Sequence, residues 1–440
     1  MSRESRKGHR LRLPPALREK DFALLWVASL TMGLGGQMAA VAVGWQVFAI
    51  RHSPLDLGLI GLAEFVPLPL LALPAGHLAD RLPRRLVFAA AVAIDMVVMA
   101  LLLLVTRSGA TKLWPFLVLA AATGVASAIG SPAARALPPT LVPTEMLAGA
   151  LALRSIAMQI ATVAGPAIGG FIFVVQPELP YEVALGLFAL SGACALSLRS
   201  RAARTRAASG GAPDWRSLVA GIGFVRRTPV LLGAITLDLF AVLLGGQIAL
   251  APLFARSILH VGPEGLGLLR AAPAVGAILA GVIITRRPSM RHAGRTLLLV
   301  VAGFGASMIV FGLSHSFPLS LGALAVSGFV DMVSMNIRAT TAALATPDRL
   351  RGRVNAIEMV FISASNQLGA FESGAAAALL GAAPAVVAGG ALTLLLAAVW
   401  PRVFPALARI DRLEELQPPR EPAEPPPPPV EPAEPPAETW

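Results

Sequence analysis

The sequence predicts an all-helical integral membrane protein, with twelve transmembrane helices in two pseudo-symmetric six-helix bundles. Three observations carry that expectation. Twelve apolar runs, at 22–50, 56–79, 86–105, 114–138, 147–175, 181–198, 229–255, 265–285, 295–314, 317–344, 354–380 and 383–404, each approach or exceed the roughly 20 residues that cross a hydrocarbon core as a helix. The 440 residues are 55% hydrophobic and only 14% charged, with a mean hydropathy of +0.71, so a water-facing surface could not be covered. A weak internal repeat runs through the chain. Leu34-Gly35-Gly36-Gln37-Met38-Ala39 recurs as Leu244-Gly245-Gly246-Gln247-Ile248-Ala249, and Leu57-Gly58-Leu59-Ile60 as Leu266-Gly267-Leu268-Leu269. The spacing of Arg135, Pro143 and Gly165 is matched by Arg338, Pro347 and Gly369.

Taken in order, the first run follows a polar stretch and is too long for a signal peptide, so it stays as the first helix. Runs one to six form an N-terminal bundle, 22–198, after a basic N-terminus, 1–21. The central loop, 199–228, begins Arg-, Ala- and Gly-rich and then turns amphipathic, with Trp215, Leu218, Val219, Ile222 and Val225 on one face. Its Arg216, Arg226 and Arg227 suit anionic headgroups. Runs seven to twelve form the C-terminal bundle, 229–404, and a cytoplasmic Pro/Glu-rich tail, 405–440, is expected to be disordered or polyproline II. The single cysteine, Cys194, lies within a run and forms no intrachain disulfide.

The net charge of +11 is not a nucleic-acid signal, because its placement follows the membrane. Of the 36 Lys and Arg, only Arg51, Arg107, Lys112 and Arg256 fall in loops opposite the N-terminus, with Arg270 and Arg338 inside runs. That bias puts both termini in the cytoplasm. Ala- and Arg-rich usage with little Lys suits a GC-rich bacterial genome, and hence the inner membrane.

Four local patterns carry functional meaning. Gly76-His77-Leu78-Ala79-Asp80-Arg81-Leu82-Pro83-Arg84-Arg85 joins the second and third runs: its glycine allows helix ends to approach, and Asp80 can face a positive helix N-terminus. Gly165-Pro166-Ala167-Ile168-Gly169-Gly170 lies inside the fifth run, where proline removes a helical hydrogen bond and the glycines expose backbone. Ser131-Pro132-Ala133-Ala134-Arg135-Ala136-Leu137-Pro138 and Thr346-Pro347-Asp348-Arg349-Leu350-Arg351-Gly352-Arg353-Val354 close the fourth run and open the eleventh.

With these motifs, about residues 15–405 resemble the major facilitator superfamily. Within it the chain is similar to the branch of enterobactin exporters and the third drug:proton antiporter group, the transmembrane secretion effectors. The resemblance implies the major facilitator fold, and a conformational latch at Gly76, Asp80, Arg81 and Arg84. It also implies an antiporter-type motif at Gly165, Pro166, Gly169 and Gly170. Pro83 departs from the pattern, which has a second glycine there; in the second half, Thr285 replaces the aspartate.

Ionisable groups inside a bilayer cost about 2.5–3.5 kcal/mol each on insertion scales and are functional candidates by default. Glu64, Asp238, Asp331 and Glu372 are the proton-coupling candidates, since burial disfavours a charged carboxylate and lets it exchange a proton. Asp331 and Arg338 share a helical face and are expected to pair. Gln37, Gln247, Asn336 and Arg338 are the substrate-cavity candidates. Asp95 reads as satisfying a neighbour, and Arg154, Arg270 and Glu358 as snorkelling groups near an interface.

No nucleotide-binding loop, metal cluster or nucleophile constellation stands in the sequence, so no enzyme, cofactor or metal is expected. The expected function is secondary active, proton-coupled efflux of a small amphipathic molecule (a drug, siderophore or metabolite) by alternating access. An importer or uniporter, and a non-transporting membrane sensor or scaffold, are the alternatives. The expected partners are the cargo, protons and the lipid bilayer, with no nucleic acid, and the chain is read as a monomer.

Overall fold

The computed structural model describes residues 14–198, 215–286 and 291–416. Most of the basic N-terminus, the Arg-rich part of the central loop and the tail from 417 lie outside the described residues. The long helices are α1 Lys20–Arg51, α2 in two pieces, Pro54–Phe65 and Pro67–Arg81, α3 Arg84–Arg107, α4 Trp114–Ala136, α5 Thr144–Val175 and α6 Leu179–Ser197. The second half has α7 Pro229–Gly245, α8 Pro263–Thr285, α9 Ala293–Leu313, α10 Phe317–Ala345, α11 Asp348–Leu380 and α12 Ala382–Val403. No strand occurs among the described residues, only an isolated bridge between Arg291 and Arg412.

Among the described residues, eleven helices are long and apolar enough to cross a membrane. The exception is α11, whose 33 residues include Ser363, Ser365, Asn366, Gln367, Glu372 and Ser373. Those polar groups are tolerated because α11 is packed between α2 and α7, where Ser365 and Ser373 are fully buried. The outward faces of the other helices carry exposed apolar side chains, such as Val97, Phe171, Leu299 and Leu395, which lipid accepts and water would not.

The sequence repeat becomes a packing repeat. In the first half α1 packs on α5 and α6, α3 on α4 and α6, and α2 on α4. Six helices later, α7 packs on α11 and α12, α9 on α10 and α12, and α8 on α10. The bundles meet along α2–α11 and α5–α8, which the same shift exchanges. Pro143 and Pro347, the matched prolines, each immediately precede a helix, α5 and α11.

Two helices depart from the straight spans that hydropathy predicts. α2 is interrupted at Val66, just before Pro67, because a proline has no N–H and its ring clashes with the preceding turn. α7 stops at Gly245; Gly246 adopts ψ 50°, and the chain continues as a 3₁₀ turn, Gln247–Leu250, and then a π-turn, Phe254–Ile258. The matched Gly35-Gly36 in α1 stays helical throughout. The repeat therefore holds in packing but not in helix continuity.

The amphipathic segment forms a helix, Trp215–Arg227. It buries Val225 with Ile235, Val354 and Ile357, against the starts of α7 and α11. Val225 is thus spent on the C-terminal bundle, whereas Ile222, Arg226 and Arg227 are exposed; the side chains at 215–220 lie outside the described residues.

Candidate functional site: the cavity between the bundles

A cavity of about 800 Å³ lies between the two halves, with walls from both. At the end away from the chain termini it is sealed by close backbone contacts. A Cβ on Gly374 of α11 would lie 2.8 Å from the Gly58 Cα of α2, and one on Gly170 of α5 would lie 3.1 Å from the Gly267 Cα of α8. Only glycine permits such approaches. Arg256, beyond the break in α7, stacks 5.6 Å from the ring centroid of Trp45 in α1 and adds a cation–π contact across the seam. Toward the termini the bundles part: Pro67–Arg81 of α2 packs on α4, whereas the outer piece, Pro54–Phe65, is the one seated on α11. The cavity therefore opens on the side that carries the termini.

The Gly165–Gly170 motif belongs to that seal. Its residues alternate between two partners, Gly165 and Gly169 lying against Gln37 and Met38 of α1, and Pro166 and Gly170 against Gly267 of α8. The expected close packing is present, while α5 runs unbroken through Pro166. Trp45→Ala is expected to loosen the seal. Labelling of an Ala40→Cys cavity probe by an impermeant maleimide from the sealed side should rise several-fold.

The polar groups of the cavity form two sets. Glu64 of α2 lines the cavity beside Gln367 of α11 and within reach of the charge of Arg270 of α8. Beside it Asp95 of α3 is buried, 4% exposed, and its Oδ1 has no hydrogen-bond partner. On the opposite wall Asp331 of α10 is exposed to the cavity. Gln37, Gln159 and Asn366 also line it, with Thr123, Ser127, Thr162 and Ser327, and Gln159 donates to the Ala274 carbonyl of α8 at 2.9 Å.

Of the four proton-coupling candidates, Glu64 and Asp331 line the cavity and two do not. Asp238 sits behind the wall, where its Oδ2 is 2.6 Å from Nη1 of Arg338. Glu372 lies outside the cavity with Oε2 buried and unpartnered. The expected Asp331–Arg338 pair is corrected: Arg338 turns into its own bundle, toward Asp238 and the Ser334 hydroxyl. Arg338 is consequently not a cavity group, and neither is Asn336, about 140° around the helix from Asp331. Gln37 lines the cavity; the Gln247 side chain lies outside the described residues, though its neighbours Gly246 and Ile248 line it.

Sequence reasoning missed Asp95 and Arg270 as cavity groups. The available signal was depth, because Glu64 and Arg270 enter from the same side of the membrane and meet at a similar level. Treating Arg270 as a snorkelling side chain ignored a carboxylate that could hold it inward.

At the loop after α2, Arg81 is exposed, and Arg84 Nη1 donates to the Ala136 carbonyl at 3.1 Å, at the end of α4. Arg85 Nη1 donates to the Leu198 carbonyl at 2.6 Å, just past α6. Both guanidinium groups thus sit on negative helix C-termini of their own bundle. Pro83 is the N-cap of α3 with φ −56°, a start that suits proline. The side chains of Gly76 and Asp80 lie outside the described residues.

A family model described as transmembrane secretion effector matches residues 13–429. The chain is 27% identical to the multidrug efflux pump Tap of Mycolicibacterium fortuitum over 410 residues, 88% of this chain and 96% of that one. It is 26% identical to the enterobactin exporter EntS of Shigella boydii over 354 residues, 79% of this chain and 82% of that one. Among solved structures, a bacterial homolog of the human lysosomal transporter Spinster superposes with a TM-score of 0.64 at 14% identity, covering 89% of this chain and 96% of that one, a likeness of fold.

Proposed function

We propose that this chain, which belongs to the transmembrane secretion effector family of major facilitator transporters, exports a small amphipathic molecule in exchange for protons. The observation that carries the reading is the cavity itself. It is central, sealed at one end and open at the other, and a carboxylate, Asp331, faces it without a salt bridge because Asp238 already occupies Arg338. Proton coupling needs such a group, free to gain and lose a proton as the site changes sides. The efflux pump and the siderophore exporter among its relatives support the outward direction.

In this reading the protein is a monomer of the bacterial inner membrane with both termini in the cytoplasm, and the cavity is in its cytoplasm-facing state. Rocking of the bundles would break the Gly58–Gly374 and Gly170–Gly267 contacts and bring the opposite ends together. Asp80 and the arginines after it would latch that second state. Asp80→Asn is accordingly expected to cut flux several-fold while insertion and expression stay at wild-type levels; wild-type flux in the variant would remove the latch role.

Transport direction is tested in inside-out membrane vesicles energised to an acid interior. Export predicts accumulation of ethidium that a protonophore collapses. Accumulation in right-side-out vesicles alone would make the protein an importer.

A further inference from the structure

The cavity's charge pattern goes beyond the export reading and rests on it: we infer that the cargo is an amphipathic organic cation whose charged group is received between Asp95 and Glu64. Three carboxylates, Glu64, Asp95 and Asp331, face the cavity against one guanidinium, Arg270. The charge of that guanidinium acts on Glu64. Asp95 has no such partner: its Oδ1 is buried and unbonded, and the charge that acts on it is Glu64, of the same sign. A buried acceptor left unpaired is costly and uncommon in a native protein, and it calls for a donor or cation from outside the chain.

Two further features favour positive charge. α7 ends at Gly245–Gly246 on the cavity wall, presenting the negative end of its helix dipole there. The remaining wall includes Phe116, Phe188, Phe304 and Met99, so an apolar body with a delocalised cation is accommodated by aromatic faces and a polarizable thioether. A cavity of about 800 Å³ fits a drug-sized molecule. An anionic cargo would have to be desolvated in a cavity whose three carboxylates outnumber its one guanidinium.

The test uses two ions of the same shape and opposite charge, tetraphenylphosphonium and tetraphenylborate, titrated calorimetrically into the purified full-length protein in nanodiscs. Tetraphenylphosphonium is expected to bind at least tenfold more tightly. Asp95→Asn, an isosteric change, should weaken that binding at least tenfold, Asp95→Glu should restore most of it, and Glu64→Gln should weaken it in turn. Equal affinity for the two ions, absence of tetraphenylphosphonium binding, or an unchanged affinity in Asp95→Asn would overturn the proposal. Charge-selective binding without gradient-driven flux would uphold this site while removing the export reading.

Discussion

Asp238→Asn is expected to destabilise the C-terminal bundle by about 3 kcal/mol, because it takes the one directly bonded carboxylate from the buried Arg338 guanidinium and leaves only the more distant charges of Asp331 and Glu358. Both partners are nearly inaccessible, with side chains 10% and 7% exposed, and they join α7 to α10 at 2.6 Å. The Ser334 hydroxyl, 3.3 Å from Nε, cannot replace a carboxylate. Arg338→Gln alone should also destabilise, since Asp238 then loses its cation. The double variant Asp238→Asn/Arg338→Gln should recover much of the loss, because two neutral amides can bond to each other where an ion and an amide cannot balance. Thermal unfolding midpoints in detergent measure all three proteins. Additive losses in the double variant would show that the pair is not an energetic unit.

Asp331→Asn is expected to abolish the pH-driven part of transport while leaving cargo binding intact. Asp331 shares α10 with Arg338 but faces the cavity, and Arg338 is already held by Asp238. Removing its charge therefore breaks no salt bridge and should leave stability close to wild type. What it removes is a site that can be protonated on one side of the membrane and released on the other. Flux in reconstituted vesicles should fall at least tenfold under a proton gradient, while cargo exchange at equal pH persists. A variant that still accumulates cargo under the gradient would move the proton to Glu64.

These expectations show which parts of the protein hydropathy could reveal. The twelve helices were legible because lipid imposes one rule on every span, and the predicted 317–344 run became Phe317–Ala345. Helices such as α11 begin earlier than their apolar runs, at Asp348 and not near 354, because they continue through the basic residues at the membrane surface. The breaks in α2 and α7 were not legible. Prolines and paired glycines are common in membrane helices, and whether one bends depends on its neighbours.

The site was legible in residue type and not in direction. Glu64 and Asp331 were identified because charges inside a span are rare. That Arg338 points to Asp238 instead of Asp331 is set by how α7 and α10 cross, which one chain's spacing does not encode. Asp95 and Arg270 became meaningful only when α3 and α8 were placed around the same cavity as Glu64. In the sequence Gly170 reads as a helix-packing residue, Gly58 and Gly267 only as members of the repeat, and Gly374 carries no signal; the structure gives all four a common place in the seal.

The most direct measurement is of the two ends of the molecule at once. Spin labels on cysteines replacing Leu55 and Leu379 report the sealed end, and labels replacing Leu82 and Arg353 report the open end. The one native cysteine, Cys194, is buried. Alternating access driven by protons predicts that changing the pH lengthens one distance while shortening the other, and that Asp331→Asn suppresses the exchange. Two distances that stay fixed across pH and with ethidium present would contradict it.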